Sequence, residues 1–514
     1  MLQGLRHSAR LFGLARLLAR HDALFLLETL NIAPGLAWIA RLVSKRNVPG
    51  RPGQRLAAAL SEAGPSFIKL GQTLATRSDL LGEEMAADLS QLQDHLPAFT
   101  FAEVKAAIEG EFDKPLDEIY QSFDETPVAA ASIAQVHFAV TAEGEDVAVK
   151  VLRPGIETAF QADLDLFFWV AELIEVARPD FKRLKPVESV RTLAATVALE
   201  MDLRFEAAAA AEMAENFRGD ETFGVPDVDW ALTGKRVMTT ERVAGCRMDD
   251  REAILAAGLD PVKVVENAAT AFFRQVFRDG FFHGDLHPGN MFVSPTGKLI
   301  AVDFGIMGRI DRETRRTLGE MLLGFLTRDY VRAAEVHFEA GWVPPHQSVS
   351  AFTQACRSIA EPILDKPQNE ISMARLLGQL FQITETFDME AQPQLLLLQK
   401  TMLVAEGSGR HLAPEVNMWF LSRPLIEDWM VENLGPEARL ADAAETSAKA
   451  LRSLPRLVQN LDQAAAGLAN GTVRLSPGTI EELTKPRRRA QLLPLILSAL
   501  AGAVVATLLI GLLD

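Results

Sequence analysis

His283-Gly284-Asp285-Leu286-His287-Pro288-Gly289-Asn290, followed 13 residues later by Asp303-Phe304-Gly305, is the stretch on which the reading of this 514-residue chain turns. Two short apolar runs lie between its halves, Met291-Phe292-Val293 and Leu299 to Val302, joined by the turn Ser294-Pro295-Thr296-Gly297. They predict a pair of strands that folds the chain back and brings Asp285, Asn290 and Asp303 together. Magnesium takes hard oxygen donors, and an asparagine carbonyl and an aspartate carboxylate supply them, so Asn290 and Asp303 are the candidate metal ligands. Asp285, with no metal duty, is the candidate group that accepts a hydroxyl proton or aligns an acceptor.

The spacing of five from Asp285 to Asn290, with D-F-G downstream, matches a kinase catalytic loop. Gly284 stands where that loop has arginine, and His287 is additional. A competing reading makes His283, Asp285 and His287 a zinc or iron site. It leaves Asn290 and the D-F-G without a role. His283 by itself is expected to brace the loop rather than react.

Upstream, Val147-Ala148-Val149-Lys150 reads as a short buried strand ending in a lysine, where kinases hold the α- and β-phosphates. A buried ammonium needs a partner. The helical stretch that follows offers Glu200-Met201-Asp202 and Glu206; Glu200 and Glu206 lie six apart, so Lys150 is expected to pair with one of them, and Glu206 is favoured. The kinase phosphate loop G-x-G-x-x-G-x-V should precede the lysine. Here the run is Ala129-Ala130-Ala131-Ser132-Ile133-Ala134-Gln135-Val136, with alanine at each glycine position. Alanine does not reach positive φ without strain, so this loop is expected to be stiffer than a glycine loop. Taken alone, an alanine-rich run means helix; its place ahead of V-A-V-K is what makes it a candidate nucleotide loop.

Composition is that of a folded protein: 48% hydrophobic and 23% charged residues. The net charge of −16 argues against bulk attraction to nucleic acid, and two cysteines, Cys246 and Cys356, exclude a disulfide scaffold and an all-cysteine zinc site. Gln491 to Leu513 is uncharged and almost wholly apolar behind Lys485, Arg487, Arg488 and Arg489. It predicts a single transmembrane helix with the rest of the chain on the cytoplasmic side of an inner membrane. The N-terminal 30 residues mix Arg6, Arg10, Arg16 and Arg20 among leucines, which suits either an amphipathic helix on a membrane surface or a helix packed on the main domain.

Along the chain, residues 1–60 read as an amphipathic helical region and linker, the latter at Arg46 to Arg55. Residues 61–125 read as a helical extension with helices at Pro65 to Leu81 and Phe101 to Ile119. Residues 126–243 hold short strands (Ser132 to Ala139, Asp146 to Leu152, Val225 to Val228, Arg236 to Glu241) around a helical insertion from Gly155 to Asn216. Residues 244–480 are mostly helical, and 486–514 form the membrane anchor. The class is α+β, with a strand-bearing lobe and a helical lobe.

With these residues in hand, the chain resembles the UbiB family of atypical kinase-like proteins, which serve ubiquinone biosynthesis. The resemblance rests on the alanine loop Ala129 to Val136, on a K-x-G-Q motif at Lys69-Leu70-Gly71-Gln72, and on an E-x-D motif at Glu200-Met201-Asp202. It implies a bilobal protein-kinase-like fold that takes ATP and Mg2+. It implies an extension bearing K-x-G-Q that folds over the active site, with Lys69 and Gln72 meeting Glu200 and Asp202 as regulatory residues. It also implies a hinge at Arg236 to Val243 whose backbone, at Glu241 and Val243, holds adenine. The expected activity is that of an ATPase or small-molecule kinase acting on prenylated phenol intermediates at the membrane, with other ubiquinone enzymes as partners. A protein kinase is disfavoured by the covering helix. A non-catalytic nucleotide-sensing scaffold is the reading from another class, and the intact set Lys150, Asp285, Asn290 and Asp303 weighs against it.

Overall fold

The computed structural model of the chain describes residues 2–25, 48–75, 97–177, 186–362, 393–414, 416 and 418–434, with 85, 88, 89, 92, 382–384 and 386–389 between them. Helix α1 (Leu2–Arg20) leads to α2 (Pro52–Ala63) and α3 (Pro65–Ala75), and these to α4 (Phe101–Phe112) and the single turn α5 (Leu116–Ile119). Strands β1 (Tyr120–Phe123), β2 (Ala129–Ala130), β3 (Ala134–Thr141) and β4 (Asp146–Leu152) precede three helices, α6 (Ile156–Ala177), α7 (Pro186–Glu200) and α8 (Leu203–Asn216). Next come β5 (Phe223–Gly224), β6 (Val228–Asp229), β7 (Val237–Glu241) and β8 (Cys246–Arg247), then α9 (Arg251–Ala256) and α10 (Pro261–Phe273). The short strands β9 (Phe281–His283), β10 (Met291–Val293), β11 (Leu299–Ala301) and β12 (Met307–Arg309) carry the catalytic-loop motif. After them the described chain is helical: α11 (Arg312–Leu326), α12 (Tyr330–Glu339), α13 (Val349–Ala360), α14 (Pro393–Leu412) and α15 (Met418–Leu434).

Local chemistry sets several of these boundaries. Thr100 accepts from the Glu103 N–H while Glu103 reaches back to the Thr100 N–H, a capping box that starts α4. Asp202, Asp260 and Asp311 accept backbone N–H groups at the starts of α8, α10 and α11. Gly144, at φ +90°, turns the chain between β3 and β4, as the Glu143-Gly144-Glu145 reading requires. The alternating buried and half-buried residues of β4 seat it centrally in an antiparallel sheet of order β1-β3-β4-β7-β6, with β2 paired to β3. A second sheet, β5-β11-β10-β8, and a two-stranded ribbon, β12-β9, hold the motif.

Three apolar clusters position the site. Val149, Val151 and Val237 of the sheet pack on Val104 and Ile108 of α4. Leu56 and Leu60 of α2 and Phe67 of α3 pack with Phe160 and Phe167 of α6 and Leu193 of α7. Phe272, Phe282 and Phe304 anchor the largest cluster beneath the motif. Leu18 and Ala19 of α1 are buried in the second cluster, and Arg10 donates to the Ala162 carbonyl at 2.7 Å and pairs with Asp163 at 2.8 Å. The N-terminal helix therefore packs on the main domain, the second of its two readings. Helix α2 begins at Pro52, within the stretch read as linker: proline suits the first turn of a helix, and Leu56, Ala59 and Leu60 give it a buried face.

The expectation of a transmembrane helix and of an inner-membrane location is corrected here. Among the described residues no helix is long and apolar enough to cross a membrane. The longest, α6 and α14, carry internal charges: Asp163, Asp165 and Glu172 in the first, and Lys400, Glu406 and Arg410 in the second, each costly in hydrocarbon. Gln491 to Leu513, like the helical reading beyond residue 434, lies outside the described residues.

Glu406 of α14 is 6% exposed, and burial pushes its carboxyl up to about 7 against the pull of Arg410. A raised folded-state value means the native protein keeps this proton after the unfolded chain has lost it. Its stabilising contribution is therefore present in acid and lost as pH rises from 4.5 to about 7. Glu406→Gln is expected to remove that decline, raising stability by roughly 2 kcal/mol at about pH 8 and little at about pH 5 in urea unfolding. Equal changes at the two pH values would refute it.

Candidate functional site

The site is built where β4 ends, where α8 passes behind it, and where the β9–β12 segments return. Lys150 lies near the end of β4, opposite Val136 of β3 and Met238 of β7. Its Nζ is 2.6 Å from Glu206 Oε1 and 3.5 Å from Asp303 Oδ1. Glu206, on the first turn of α8, is 9% exposed. Burial lowers the lysine's affinity for its proton, but Asp303 and Glu206 outweigh that and hold it above the usual lysine range. Burial, and to a lesser degree Asp303, pushes Glu206 up, opposed by Lys150 and the Phe304 N–H. For Asp303 burial acts upward, and Lys150, the Gly305 N–H, His283 and Lys69 together hold it well below the usual carboxylate range.

A chain of hydrogen bonds ties the remaining groups to this pair. The Val302 N–H, next to Asp303, donates to the Asn290 carbonyl at 3.1 Å. Asn290 Nδ2 donates to the Asp285 carbonyl at 3.2 Å and lies 3.5 Å from Asp285 Oδ2. Lys150, Asp285, Asn290 and Asp303 thus occupy one neighbourhood. His283, 1% exposed, accepts the Asp285 N–H on Nδ1 at 3.1 Å, and burial lowers its pKa against the pull of Asp303 and Asp285. It braces the loop. His287 Nδ1 accepts the Gly289 N–H at 3.1 Å. Among the described residues no three His, Cys, Asp or Glu side chains gather to hold a metal. The zinc or iron reading of His283, Asp285 and His287 finds no support here: each imidazole accepts a backbone N–H of the loop on Nδ1, so in the neutral ring Nε2 carries the hydrogen and has no lone pair for a metal.

The alanine run is a hairpin, not a helix. Ala129 pairs with Val136 and Ala130 with Gln135, and the Ala131 N–H donates to the Ala134 carbonyl at 2.8 Å. Its tip is covered. Ser132 is wholly buried, with Oγ lacking a hydrogen-bond partner among the described residues, and the Ile133 carbonyl accepts the Arg153 N–H. Gln135 clamps the Phe99 backbone, accepting its N–H at 3.0 Å and donating to its carbonyl at 3.3 Å. Ile133 also packs against the cluster that holds α2 and α3. At the hinge, the Glu241 N–H is bonded to the Asp227 carbonyl, and Val243 lies in the connection to β8.

Lys69, which its sequence neighbourhood alone would place on a solvated face, has a side chain only 11% exposed and pairs with Glu200 at 2.9 Å. Gly71 lies where a Cβ would stand 2.4 Å from a Leu92 methyl and 2.8 Å from a Leu60 methyl, so its lack of a side chain lets α3 approach α2 closely. Gln72 donates to the Leu92 carbonyl at 3.4 Å. Asp202 does not meet the K-x-G-Q helix: it caps α8 and is held by Arg204, whose hydrogen bond lowers its pKa. An aspartate immediately before a helical run is a cap signal, and that duty wins here.

Three contributors were not picked out from the sequence. Gln275, in a π-helical turn (Arg274–Asp279) after α10, accepts the His283 N–H at 3.0 Å. Thr401 of α14 donates to the Gly284 carbonyl at 3.0 Å, and Lys400 Nζ is 3.5 Å from Asp285 Oδ1. Ile306, just before β12, and Leu397 of α14 together explain why the loop has glycine for arginine: a Cβ on Gly284 would stand 2.9 Å from Ile306 Cγ2 and 3.1 Å from Leu397 Cδ1. The polar triplet Gln399-Lys400-Thr401 inside the apolar run Leu395 to Val404 is the available signal, but it names no partner.

Against known proteins, the ABC1 atypical kinase-like domain matches residues 91–337 and the UbiB helical domain matches residues 356–417. The chain is similar to the "Probable protein kinase UbiB" of Marinobacter nauticus, 42% identical over 411 residues, 79% of this chain and 75% of that protein. It is similar to the protein of the same name from Pseudomonas putida strain W619, 39% identical over 492 residues, 94% of this chain and 89% of that one. Among solved structures, the Rv3197–erythromycin complex from Mycobacterium tuberculosis superposes with a TM-score of 0.52 at 26% identity, over 71% of this chain and 93% of that one.

Proposed function

The chain belongs to the UbiB family of atypical kinase-like proteins, and from that premise we propose that it is a Mg-ATP-dependent ATPase or small-molecule kinase that handles prenylated phenol intermediates of ubiquinone biosynthesis. A role in ubiquinone biosynthesis follows from family membership; the reaction and the acceptor class are the proposal. The observation that carries it is the triad of Lys150, Glu206 and Asp303 joined through Asn290 to Asp285. The donor set fits magnesium: Asp303 is held ionised, and with Asn290 Nδ2 turned to the Asp285 carbonyl, Oδ1 is left as the second hard oxygen. The bound ion would neutralise phosphate charge. Lys150, fixed by Glu206, would hold the α- and β-phosphates, the Ala129–Val136 hairpin would cover them, and the backbone at Glu241 and Val243 would receive adenine. Asp285 would align the attacking hydroxyl or water and take its proton.

Protein acceptors are disfavoured by the buried Lys69–Glu200 pair and by the packing of Ile133 against the extension, which together support a covered site. The test is phosphate release by the full chain with MgATP, with and without a prenylated phenol, alongside γ-labelled ATP to detect a phosphorylated lipid. Release stimulated by the phenol is the expected result. Tight nucleotide binding with no release under any condition would replace this reading with the nucleotide-sensing scaffold.

A further inference from the structure

A carboxylate placed to receive an acceptor's proton also repels the γ-phosphate that the acceptor must meet. A cation beside it removes that repulsion. Lys150 is committed to Glu206 at 2.6 Å and faces Asp303, on the side assigned to the α- and β-phosphates. The cation beside Asp285 is Lys400, whose Nζ is 3.5 Å from Oδ1. It comes from α14, which belongs to the UbiB helical domain, whereas the catalytic loop belongs to the ABC1 domain. The helical domain thus reaches into the site of the kinase-like domain.

The backbone of Lys400 is clamped and its ammonium is not. Leu397, one turn before it, lies against Gly284, and Thr401, wholly buried, donates to the Gly284 carbonyl at 3.0 Å. The ion pair itself is loose. Its 3.5 Å exceeds the roughly 2.7–2.9 Å of a charge-assisted hydrogen bond, and the Lys400 and Asp285 side chains are 43% and 34% exposed. A compact ammonium on a flexible four-carbon stem, so held, has hydrogens to give an incoming anion. An acceptor oxygen bonded to Asp285 sits about 3–3.5 Å from the γ-phosphorus in a near-attack geometry, which brings the equatorial γ-oxygens within reach of Nζ. In the transfer, the acceptor oxygen bonds to the γ-phosphorus as the bond from that phosphorus to the β–γ bridging oxygen breaks. The bridging oxygen leaves on ADP with the bonding pair, and the acceptor's proton passes to Asp285. Lys400 would meet the charge spread over the three equatorial oxygens, donating hydrogen bonds and no proton.

We propose that Lys400 is a catalytic residue of this site: the cation that the helical domain supplies to the γ-phosphate of ATP, with Asp285 as its resting partner. The assignment rests on the phosphoryl-transfer reading, and nucleotide binding is measured apart from turnover. MgATP and MgADP are titrated by calorimetry into the full chain as wild type, Lys400→Met, Lys400→Arg, Asp285→Asn and the Lys400→Met/Asp285→Asn double variant. Losing a half-exposed ion pair costs little stability, so melting temperatures should stay near that of the wild type. Lys400→Met is expected to weaken ATP about tenfold and to leave ADP nearly unchanged, since only ATP carries the γ-phosphate. Its kcat for phosphate release should fall on the order of 100-fold, as for loss of one donor to a transition-state oxyanion, and Lys400→Arg should restore most of both. A lysine that merely shields Asp285 loses its object once residue 285 is neutral; one that touches the γ-phosphate does not. The ATP-to-ADP affinity ratio is therefore expected to drop on Lys400→Met in the Asp285→Asn background as well. Should Lys400→Met fail to fold, Lys400→Gln carries the same expectations. An unchanged ratio in the folded variant, or a drop that vanishes in the Asp285→Asn background, overturns the assignment and leaves any wild-type turnover standing. A drop that persists in a protein with no turnover keeps the γ-phosphate contact and removes the reaction proposed above. No nucleotide binding to the wild type overturns both.

Discussion

Asp285→Asn is expected to lower ATP turnover by roughly 10²–10⁴-fold, the usual contribution of a positioned general base. Nucleotide affinity and melting temperature should change little. The substitution is nearly isosteric, and the contacts that position residue 285 are mostly backbone: its N–H on His283 Nδ1 and its carbonyl on Asn290 Nδ2. What the amide lacks is the charge that accepts a proton and attracts Lys400 at 3.5 Å. Turnover measured by phosphate release, and MgATP affinity measured by calorimetry, separate chemistry from binding. Unchanged turnover in the purified variant would remove Asp285 from the mechanism and with it the kinase-like reading. A loss of binding as large as the loss of turnover would reassign it to holding the nucleotide.

Lys150→Met should act on both fold and binding. Methionine fills the volume of the lysine stem but leaves Glu206, nearly buried, without its cation. Breaking a buried pair from one side costs about 3–5 kcal/mol; the Asp303 side chain is 46% exposed, so solvent takes up its share and about 2–4 kcal/mol is the expected loss. The pH dependence identifies the cause. Without the ammonium, Glu206 rises further above its ordinary value, so its contribution is retained in acid and lost as pH climbs above 4.5. The variant should therefore be closest to wild type at about pH 5 and furthest from it at about pH 8. In the wild type Asp303 behaves oppositely: its depressed value stabilises the fold above 3.8 and is lost as pH falls below that, and the variant should lose this acid-limb slope. MgATP binding should fall by more than tenfold, on the order of the 1.4 kcal/mol or more that one charged phosphate contact supplies. Urea unfolding across pH and a nucleotide titration check both; a loss independent of pH would mean that packing, not charge pairing, is what the lysine provides.

The elements that carry the chemistry were legible because their signals are local. Asp146 to Leu152 alternates along its length and is a strand at those residues; Met291 to Val293 is likewise a strand, and Pro65 opens a helix. The alanine run is less legible. Its composition favours helix, yet pairing of Ala129 and Ala130 against Val136 and Gln135 holds it extended, since a strand partner overrides a propensity of a few tenths of a kcal/mol per residue. The membrane reading finds no support among the described helices, none of which is long and apolar enough to cross, and the segment that prompted it, Gln491 to Leu513, lies outside the described residues.

By itself the sequence determined which residue types could perform phosphoryl chemistry and that they occur at the right spacings, because loop length and strand period are properties of neighbouring residues. It reduced the partner of Lys150 to Glu200 or Glu206. Of the two it favoured Glu206, and the tertiary structure sets Glu206 against Lys150 and gives Glu200 to Lys69. The tertiary structure also brought Lys400 and Thr401 onto the catalytic loop, across 117 positions in the case of Thr401 and Gly284. A contact over that distance leaves no periodic trace in the chain; it exists only because two helices and a loop exclude water from the same apolar surface.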